Sequence, residues 1–400
     1  MRRKVPLGDL FRVGSSKRVL QSQWKSVGVP FFRGREITRL ATEGFVDNEL
    51  FISEDLYAAF AAKYGVPSAG DIMITAIGTI GNSYIVRDAD RFYFKDASVL
   101  WLKKTAEVSS DFVNLWLKSP LFFDQLDKGN GATVDTLTIQ KLQSVVIDLP
   151  PLEEQLQIVG ILDEAFDGIA TAKANAEKNL QNVRALFESH LQAVFTQRGD
   201  GWTETTLEGV AHRECTLSYG IVQPGDEFAD GLAIVRPTDM TSKVIYLDGL
   251  KRIDPKLADS YKRTTLVGGE LLLCVRGSTG MLSIAAPELA GGNVTRGIVP
   301  IRFDPALMTL DFGFYLMNSD VVQEQIREKT YGTALMQINI RDLRSISFSI
   351  PPLKKQEAIA TALHELSEET QRLESLYQQK LAALDELKKS LLHQAFSGAL

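Results

Sequence analysis

Residues 131–195 align without a gap onto residues 332–396 at a constant offset of 201, with 16 identities in 65 positions. A repeat constrains a fold more than any other pattern, because each copy must bury its apolar face in the same way. The identities include Leu142/Leu343, Gln155/Gln356, Ile158/Ile359, Leu162/Leu363, Leu191/Leu392 and Phe195/Phe396. Weaker matches precede them, Gly28–Arg33 with Gly231–Arg236 and Gly70–Gly81 with Gly269–Gly280. The chain reads as module, helix, module, helix, divided at 1–149, 150–200, 201–349 and 350–400. Two similar units on one polypeptide imply a pseudo-two-fold molecule.

Each half closes on a long helical pattern that starts after a Pro-Pro pair, where proline is tolerated and sets the entry direction. In the first, Ile158, Leu162, Ala165, Ile169, Ala172 and Ala176 recur at steps of four and three, the seam of a coiled coil. Leu180, Val183, Phe187, His190 and Val194 continue it after a stutter. In the second, Ile359, Leu363, Leu366, Thr370, Leu373, Tyr377, Leu384, Leu387 and Leu391 keep the register. Gly160 and Gly168 interrupt only the first helix, which points to close helix approach or to a partner contact. Each helix runs for roughly 45 residues, or about 65–70 Å at 1.5 Å per residue. Seams this long are unstable alone and must pair. An antiparallel pair places the modules at opposite ends and brings Leu400 near Met1.

The modules read as α+β. Short apolar runs bounded by turn residues predict strands at 29–32, 72–77, 83–87, 99–102 and 145–149, and at 232–236, 271–275, 283–285, 298–303 and 346–350. One helix precedes each last strand, at 111–126 and 311–328. The expected architecture is two α/β modules separated by two long antiparallel helices forming a coiled coil.

Composition excludes several classes. No apolar run approaches the roughly 18 residues of a membrane span, and no signal peptide follows the basic start, so the expected location is the cytoplasm. Cys215 and Cys274 lack ligand spacing, and His190, His212, His364 and His393 form no metal motif. Phosphate-cradling loops and nucleophile elbows are absent. The net charge of −6 is unlike a simple DNA binder, although residues 1–149 carry 19 Lys and Arg against 17 Asp and Glu. A partner supplying part of the phosphate contact would reconcile the two.

Leu149-Pro150-Pro151-Leu152-Glu153-Glu154-Gln155 and Ile350-Pro351-Pro352-Leu353-Lys354-Lys355-Gln356 each follow a variable module and open a long helix. Together with the ending Lys389–Gly398, this arrangement resembles the specificity subunit of Type I restriction–modification enzymes over essentially the whole chain. The resemblance implies two target-recognition domains, each reading half of a split site in double-stranded DNA, with the helices as a ruler for the unread spacer. It implies a non-catalytic chain that recruits two methyltransferase subunits and the restriction (motor) subunits. S-adenosylmethionine, ATP and Mg would belong to those partners, with no cofactor here. Leu152, Gln155, Leu353 and Gln356 are the expected partner contacts. Lys354-Lys355 departs from the acidic residues usual before the Gln. A ruler of about 65–70 Å corresponds to about 20 base pairs.

DNA contacts are expected from polar and basic loop residues. In the first module these are Lys17, Arg18, Arg33, Arg35, Thr79 and Thr133; in the second, Arg236, Lys243, Arg276, Ser278, Thr279, Thr295, Arg296 and Thr333. Loops 78–81 and 277–280 recur in both halves, so they are either tight turns or shared contacts. Arg33 and Arg236 also recur, which suits a phosphate contact or a structural ion pair. Arg276 aligns with Ile77 and has no basic counterpart, as a specificity contact should. Two alternative classes remain at this point: a self-contained methyltransferase or nuclease with split recognition, and a purely structural coiled-coil dimer.

Overall fold

The computed structural model describes residues 2–126, 136–332 and 336–399. It forms two compact units, Met1–Glu177 with Gln378–Leu400, and Lys178–Tyr377. Each unit contains one module and half of each long helix.

The long helices are Leu152–Thr196 and Leu353–Ser397, 45 residues each. Their first turns form against the proline pairs: the Gln155 N–H donates to Pro151 O at 3.0 Å and the Gln356 N–H to Pro352 O at 3.1 Å. Within each unit the two helices run antiparallel. In the first unit Lys173 Nζ meets Asp385 Oδ1 at 2.7 Å and the Lys388 ammonium lies over the Phe166 ring. In the second, Arg184 Nε meets Glu374 Oε2 at 3.1 Å. The chain ends behave as the antiparallel reading requires: a Cβ on Gly398 would come within 2.9 Å of the Arg2 guanidinium, and Arg2 pairs with Glu154 at 2.8 Å.

The predicted seam is buried at Ile158, Leu162, Ile169, Ala176, Val183, Leu363 and Thr370. It fails near both helix ends. His190 and Leu387 are exposed, while Leu191 and Leu392 are buried. The reason is a change of packing partner: in each unit the closing turns of one helix turn onto the module. Leu392, Ala395 and Phe396 join the core of the first unit, and Phe396 meets Phe112 edge-on at 5.0 Å. Leu191 and Phe195 join the core of the second, and Phe195 meets Phe312 at 5.5 Å.

The modules share a plan. In the first, an antiparallel four-stranded sheet runs in the order Phe11–Gly14, Val99–Lys104, Ile72–Thr75, Ser83–Ile85. A three-stranded sheet orders Phe51–Ile52, Val29–Phe32 and Tyr93–Phe94, the last two parallel. Arg3–Pro6 pairs antiparallel with Val146–Leu149, tying the start of the module to the strand that leads into the helix. In the second module the four-stranded order is Val244–Ile245, Leu282–Ala285, Leu271–Cys274, Ile298–Ile301, and the three-stranded order is Lys251–Ile253, Leu232–Val235, Asn293–Val294. Thr203–Thr206 pairs with Ser347–Ile350.

The helix expected at 111–126 is two helices, Ser110–Trp116 and Pro120–Asp124, because Pro120 must start a new turn. That at 311–328 divides at Ser319 into Leu310–Asn318 and Asp320–Lys329. Ser119 and Ser319 mark both breaks and turn their hydroxyls back to Trp116 O and Leu316 O, at 2.7 and 2.6 Å. Helices Gly34–Glu43 and Glu54–Tyr64 were not expected; at the corresponding places the second module carries tighter 3-10 segments, Pro237–Asp239 and Pro255–Thr264. Gly160 and Gly168 do not serve close helix approach, since an added Cβ at either meets nothing within 4 Å.

Candidate nucleic-acid interface

In each module three strand ends converge, and each delivers one side chain. In the first module Val29–Phe32 leads to Arg33, Ile72–Thr75 to Ile77, and Tyr93–Phe94 to Lys95. Backbone bonds fix the convergence. The Lys95 N–H donates to Phe32 O at 2.8 Å, the Ala76 N–H to Ser98 O at 2.9 Å, and the Leu137 N–H to Ala76 O at 2.8 Å. The second module repeats these bonds: Thr295 N–H to Val235 O at 2.9 Å, Val275 N–H to Gly297 O at 2.8 Å, and Ile338 N–H to Val275 O at 3.1 Å. Structural equivalence therefore pairs Arg33 with Arg236, Ile77 with Arg276, Lys95 with Thr295, and Ser98 with Gly297.

The first convergence is an open cleft of about 610 Å³ lined by Arg33, Gly34, Arg35, Thr38, Arg39, Thr75, Ile77, Thr79, Lys95 and Ser98. Four cations and several hydroxyls on one concave wall suit a phosphate-rich, hydrogen-bonding ligand. Arg33 is locked: its Nε and Nη2 donate to Glu36 at 3.1 and 2.8 Å, and the Arg33 N–H donates to the same carboxylate at 2.8 Å. Burial would raise the Glu36 carboxyl, but the Arg33 hydrogen bonds and charge, with Arg35, lower it to about 2. Arg236 repeats the lock on Asp239, with Nε at 3.1 Å, Nη2 at 2.8 Å and the backbone N–H at 2.8 Å. Of the two roles considered for this pair of arginines, the structure displays the ion pair. Arg35 divides between Glu36 at 3.0 Å and Glu49 at 2.7 Å. Arg39 and Lys95 pair with no carboxylate among the described residues.

In the second module the same position carries a different surface. Arg276 is half-buried, its Nε enclosed without a hydrogen-bond partner among the described residues. It bridges to Gln337, which bridges in turn to Tyr331. The Gln337 amide donates to the Tyr331 hydroxyl at 3.2 Å, and the Tyr219 hydroxyl donates to Ile338 O at 3.1 Å. Arg296 is exposed beside them, its N–H donating to Ile221 O at 2.8 Å. Burial, with Tyr331, raises the Tyr219 hydroxyl, and Arg296 opposes it. Arginines interleaved with tyrosines and an amide suit base edges and phosphates alike. Arg276 and Arg296 make no ion pair among the described residues.

The remaining expected contacts are scattered. Lys17 and Arg18 are exposed outside the cleft lining, and the Lys17 N–H donates to the Tyr93 hydroxyl at 2.9 Å. Lys243 lies over the Phe314 and Tyr315 rings, at 4.9 and 5.3 Å from their centroids. The Thr279 hydroxyl donates to Met336 O at 3.2 Å, tying the turn to a distant segment, and Ser278 is exposed. The Thr295 hydroxyl is buried without a partner among the described residues. Thr133 and Thr333 lie outside the described residues. Arg39, Lys95, Tyr219, Tyr331 and Gln337 were not singled out. Arg39 follows Arg35 at the i,i+4 spacing of the unexpected helix, which was the available signal.

The expected partner contacts divide. Gln155 is buried, accepting from the Ser109 N–H at 2.9 Å and donating to Pro150 O at 2.8 Å. Gln356 is buried likewise, accepting from the Thr309 N–H at 3.0 Å and donating to Leu307 O and Pro351 O, each at 2.8 Å. These amides are spent inside the fold and offer nothing to a partner: they fasten the helix start to the module. Leu152 and Leu353 remain half-exposed.

Among the described residues no group of three or more His, Cys, Asp or Glu side chains could hold a metal, and no helix is long and apolar enough to cross a membrane. Cys215 and Cys274 are unpaired.

Curated relatives include the Type I restriction enzyme EcoBI specificity subunit of Escherichia coli, 25% identical over 293 residues, covering 68% of this chain and 62% of that protein. A putative Type I specificity subunit of Haemophilus influenzae is 30% identical over 194 residues, 46% of this chain and 48% of its own length. The chain thus spans less than two thirds of these two relatives. The putative MjaX specificity subunit of Methanocaldococcus jannaschii is 23% identical over 388 residues, 92% of this chain and 87% of that protein. Among solved structures, a chain from work on complex assembly and conformational transition of the type I R-M system superposes over 100% of this chain and 98% of its own, with TM-score 0.78 and 17% identity. The HsdS subunit from Thermoanaerobacter tengcongensis superposes over 100% of this chain and 97% of its own, with TM-score 0.66 and 18% identity. At such identities the likeness is one of fold. The family model described as the Type I restriction modification DNA specificity domain matches twice, over residues 3–181 and 226–382. The chain belongs to that family.

Proposed function

We propose that this chain is the DNA-reading, non-catalytic subunit of a cytoplasmic Type I restriction–modification complex, and that each module reads one half of a bipartite site. The observation that carries the reading is the twinned convergence of strand ends. The same backbone bonds recur in both modules, while the side chains they hold differ. A frame that is repeated and a face that is not is what two readers of unlike half-sites require.

The helices of 45 residues would set the unread spacer, since an α-helix has fixed rise per residue. Their duplicated starts support recruitment of two methyltransferase subunits, with the restriction subunits joining that core. Those partners would bring S-adenosylmethionine, ATP and Mg. The net charge of −6 and the carboxylates already holding Arg33, Arg35 and Arg236 favour weak binding by the isolated chain and stronger binding once partners add phosphate contacts.

Sequencing of methylated sites in the host genome tests this. The expected outcome is a two-part motif that disappears when the gene is deleted and returns with it. Methyl transfer or cleavage by the purified chain alone would overturn the non-catalytic reading. Absence of sequence-dependent DNA binding with the methyltransferase subunit present would favour a purely structural role.

A further inference from the structure

We propose that one equivalent position, Ile77 in the first module and Arg276 in the second, selects one base in each half-site: thymine through its methyl group at Ile77, guanine through O6 and N7 at Arg276. The inference rests on the DNA-reading function above and assigns it to a single side chain per module.

The backbone around the two residues is the same. Each follows a buried central strand, each is bridged on one side, Ile77 to Thr136 and Arg276 to Gln337, and each precedes a glycine of positive φ, 78° at Gly78 and 84° at Gly277. What differs is the side chain, so the position varies on a fixed support.

Ile77 is 46% exposed, two residues after a strand whose residues are all buried. It projects among arginine, lysine, threonine and serine side chains in the cleft. A branched apolar group set among cations and hydroxyls would gain by covering an apolar patch on the ligand. On a base edge in the major groove that patch is the thymine methyl. Arg39 and Lys95, free of carboxylates among the described residues, flank it as phosphate contacts that carry no sequence information.

Arg276 has no carboxylate partner among the described residues, whereas Arg236 nearby is occupied by Asp239. Its Nε is enclosed and unbonded, while the residue as a whole is half-exposed and no ion pair holds its guanidinium among the described residues. The planar guanidinium fork matches guanine O6 and N7. The locked arginines, common to both modules, cannot be the discriminating pair, because a shared contact does not distinguish two half-sites.

The test uses the chain assembled with its methyltransferase subunit, reading base preference at every position by methylation of a randomised DNA library. R276A and R276K are expected to lower the preference for guanine at one position of one half-site by about 10- to 100-fold, leaving the other half-site and the spacer unchanged. I77A is expected to lower the preference for thymine at one position of the other half-site by about fourfold. Replacing that thymine with uracil, which lacks the methyl, should weaken the wild-type complex by the same factor and leave I77A unaffected. Unaltered melting temperatures confirm that the variants fold. If the wild type reads a two-part motif and none of the three variants changes any base preference, or if uracil is read as thymine, the inference is overturned while the DNA-reading function stands. If the wild type shows no two-part motif, the function itself fails.

Discussion

The two modules hold the same lock and continue from it differently. Arg33 closes on Glu36 and Arg236 on Asp239 with matching distances, yet Gly34 opens a helix of 10 residues while Pro237 opens a turn of three. Glu36 is almost fully enclosed, with 2% of its side chain exposed, against 11% for Asp239. The edge of the four-stranded sheet also changes sides, with Phe11–Gly14 beside Val99–Lys104 in one and Val244–Ile245 beside Leu282–Ala285 in the other. The lesson is that support and reading face are separable. Hydrogen bonds of the backbone hold the support, and they place few demands on side chains, so the face is free to diverge.

The strongest challenge to this equivalence is at the aromatic plugs. F396A and F195A should each cost about 3–5 kcal/mol, because each empties a packed core site. Hydrogen exchange should show F396A loosening the helix around Phe112 and F195A the helix around Phe312. Equal loosening of both units by either variant would break the comparison.

The locks are the next test. The Glu36 carboxyl, held at about 2 in the folded chain against an ordinary 4.5, stabilises fully above about pH 4.5 and loses that contribution as pH falls toward 2. E36Q should cost about 2–3 kcal/mol at neutral pH and flatten the acid limb of the first unit's denaturation curve. An acid limb as steep in E36Q as in wild type would assign it to other carboxylates.

A smaller effect is expected where the helices are fastened. Q155A and Q356A leave buried backbone groups without partners, at about 1–2 kcal/mol each. Q356A should be the more costly, since Gln356 makes three such bonds and Gln155 two. Chemical denaturation of the two variants gives the ranking, and the reverse order would show that the bonds are not equivalent.

The smallest expected change has the opposite sign. G160A and G168A should stabilise the isolated chain by about 0.5–1 kcal/mol, as an added methyl meets nothing nearby. If either also weakens binding of the methyltransferase subunit, the glycine marks a point of partner approach in the first helix that the second lacks.

The gap-free repeat and the Pro-Pro starts made both long helices legible, and the alternation of apolar runs located the strands beside them. The helix Glu54–Tyr64 half-buries Leu56, Tyr57, Phe60 and Ala61 on one face, but Ala58, Ala59 and Ala62 on the other blur the polar–apolar contrast that would have marked it. Ser119-Pro120 did carry a visible break, overlooked in favour of a longer helix. The seam misplaced its last turns because heptads describe helix against helix, and there the partner is a module. The interface was only partly legible. Arg33, Ile77 and Lys95 become neighbours through strand pairing between distant segments, which no spacing in the chain announces. Gln155 and Gln356 were singled out as partner contacts because they recur, but recurrence cannot tell a fastening inside the fold from a contact outside it.

The approach of Gly398 to Arg2 has a bearing on how such a gene can be rearranged. Splicing tail to head and opening the polypeptide within Arg198-Gly199-Asp200-Gly201 would reverse which reader is translated first while preserving every bond described. The order of the two halves along the polypeptide would then be free to change without a change of fold.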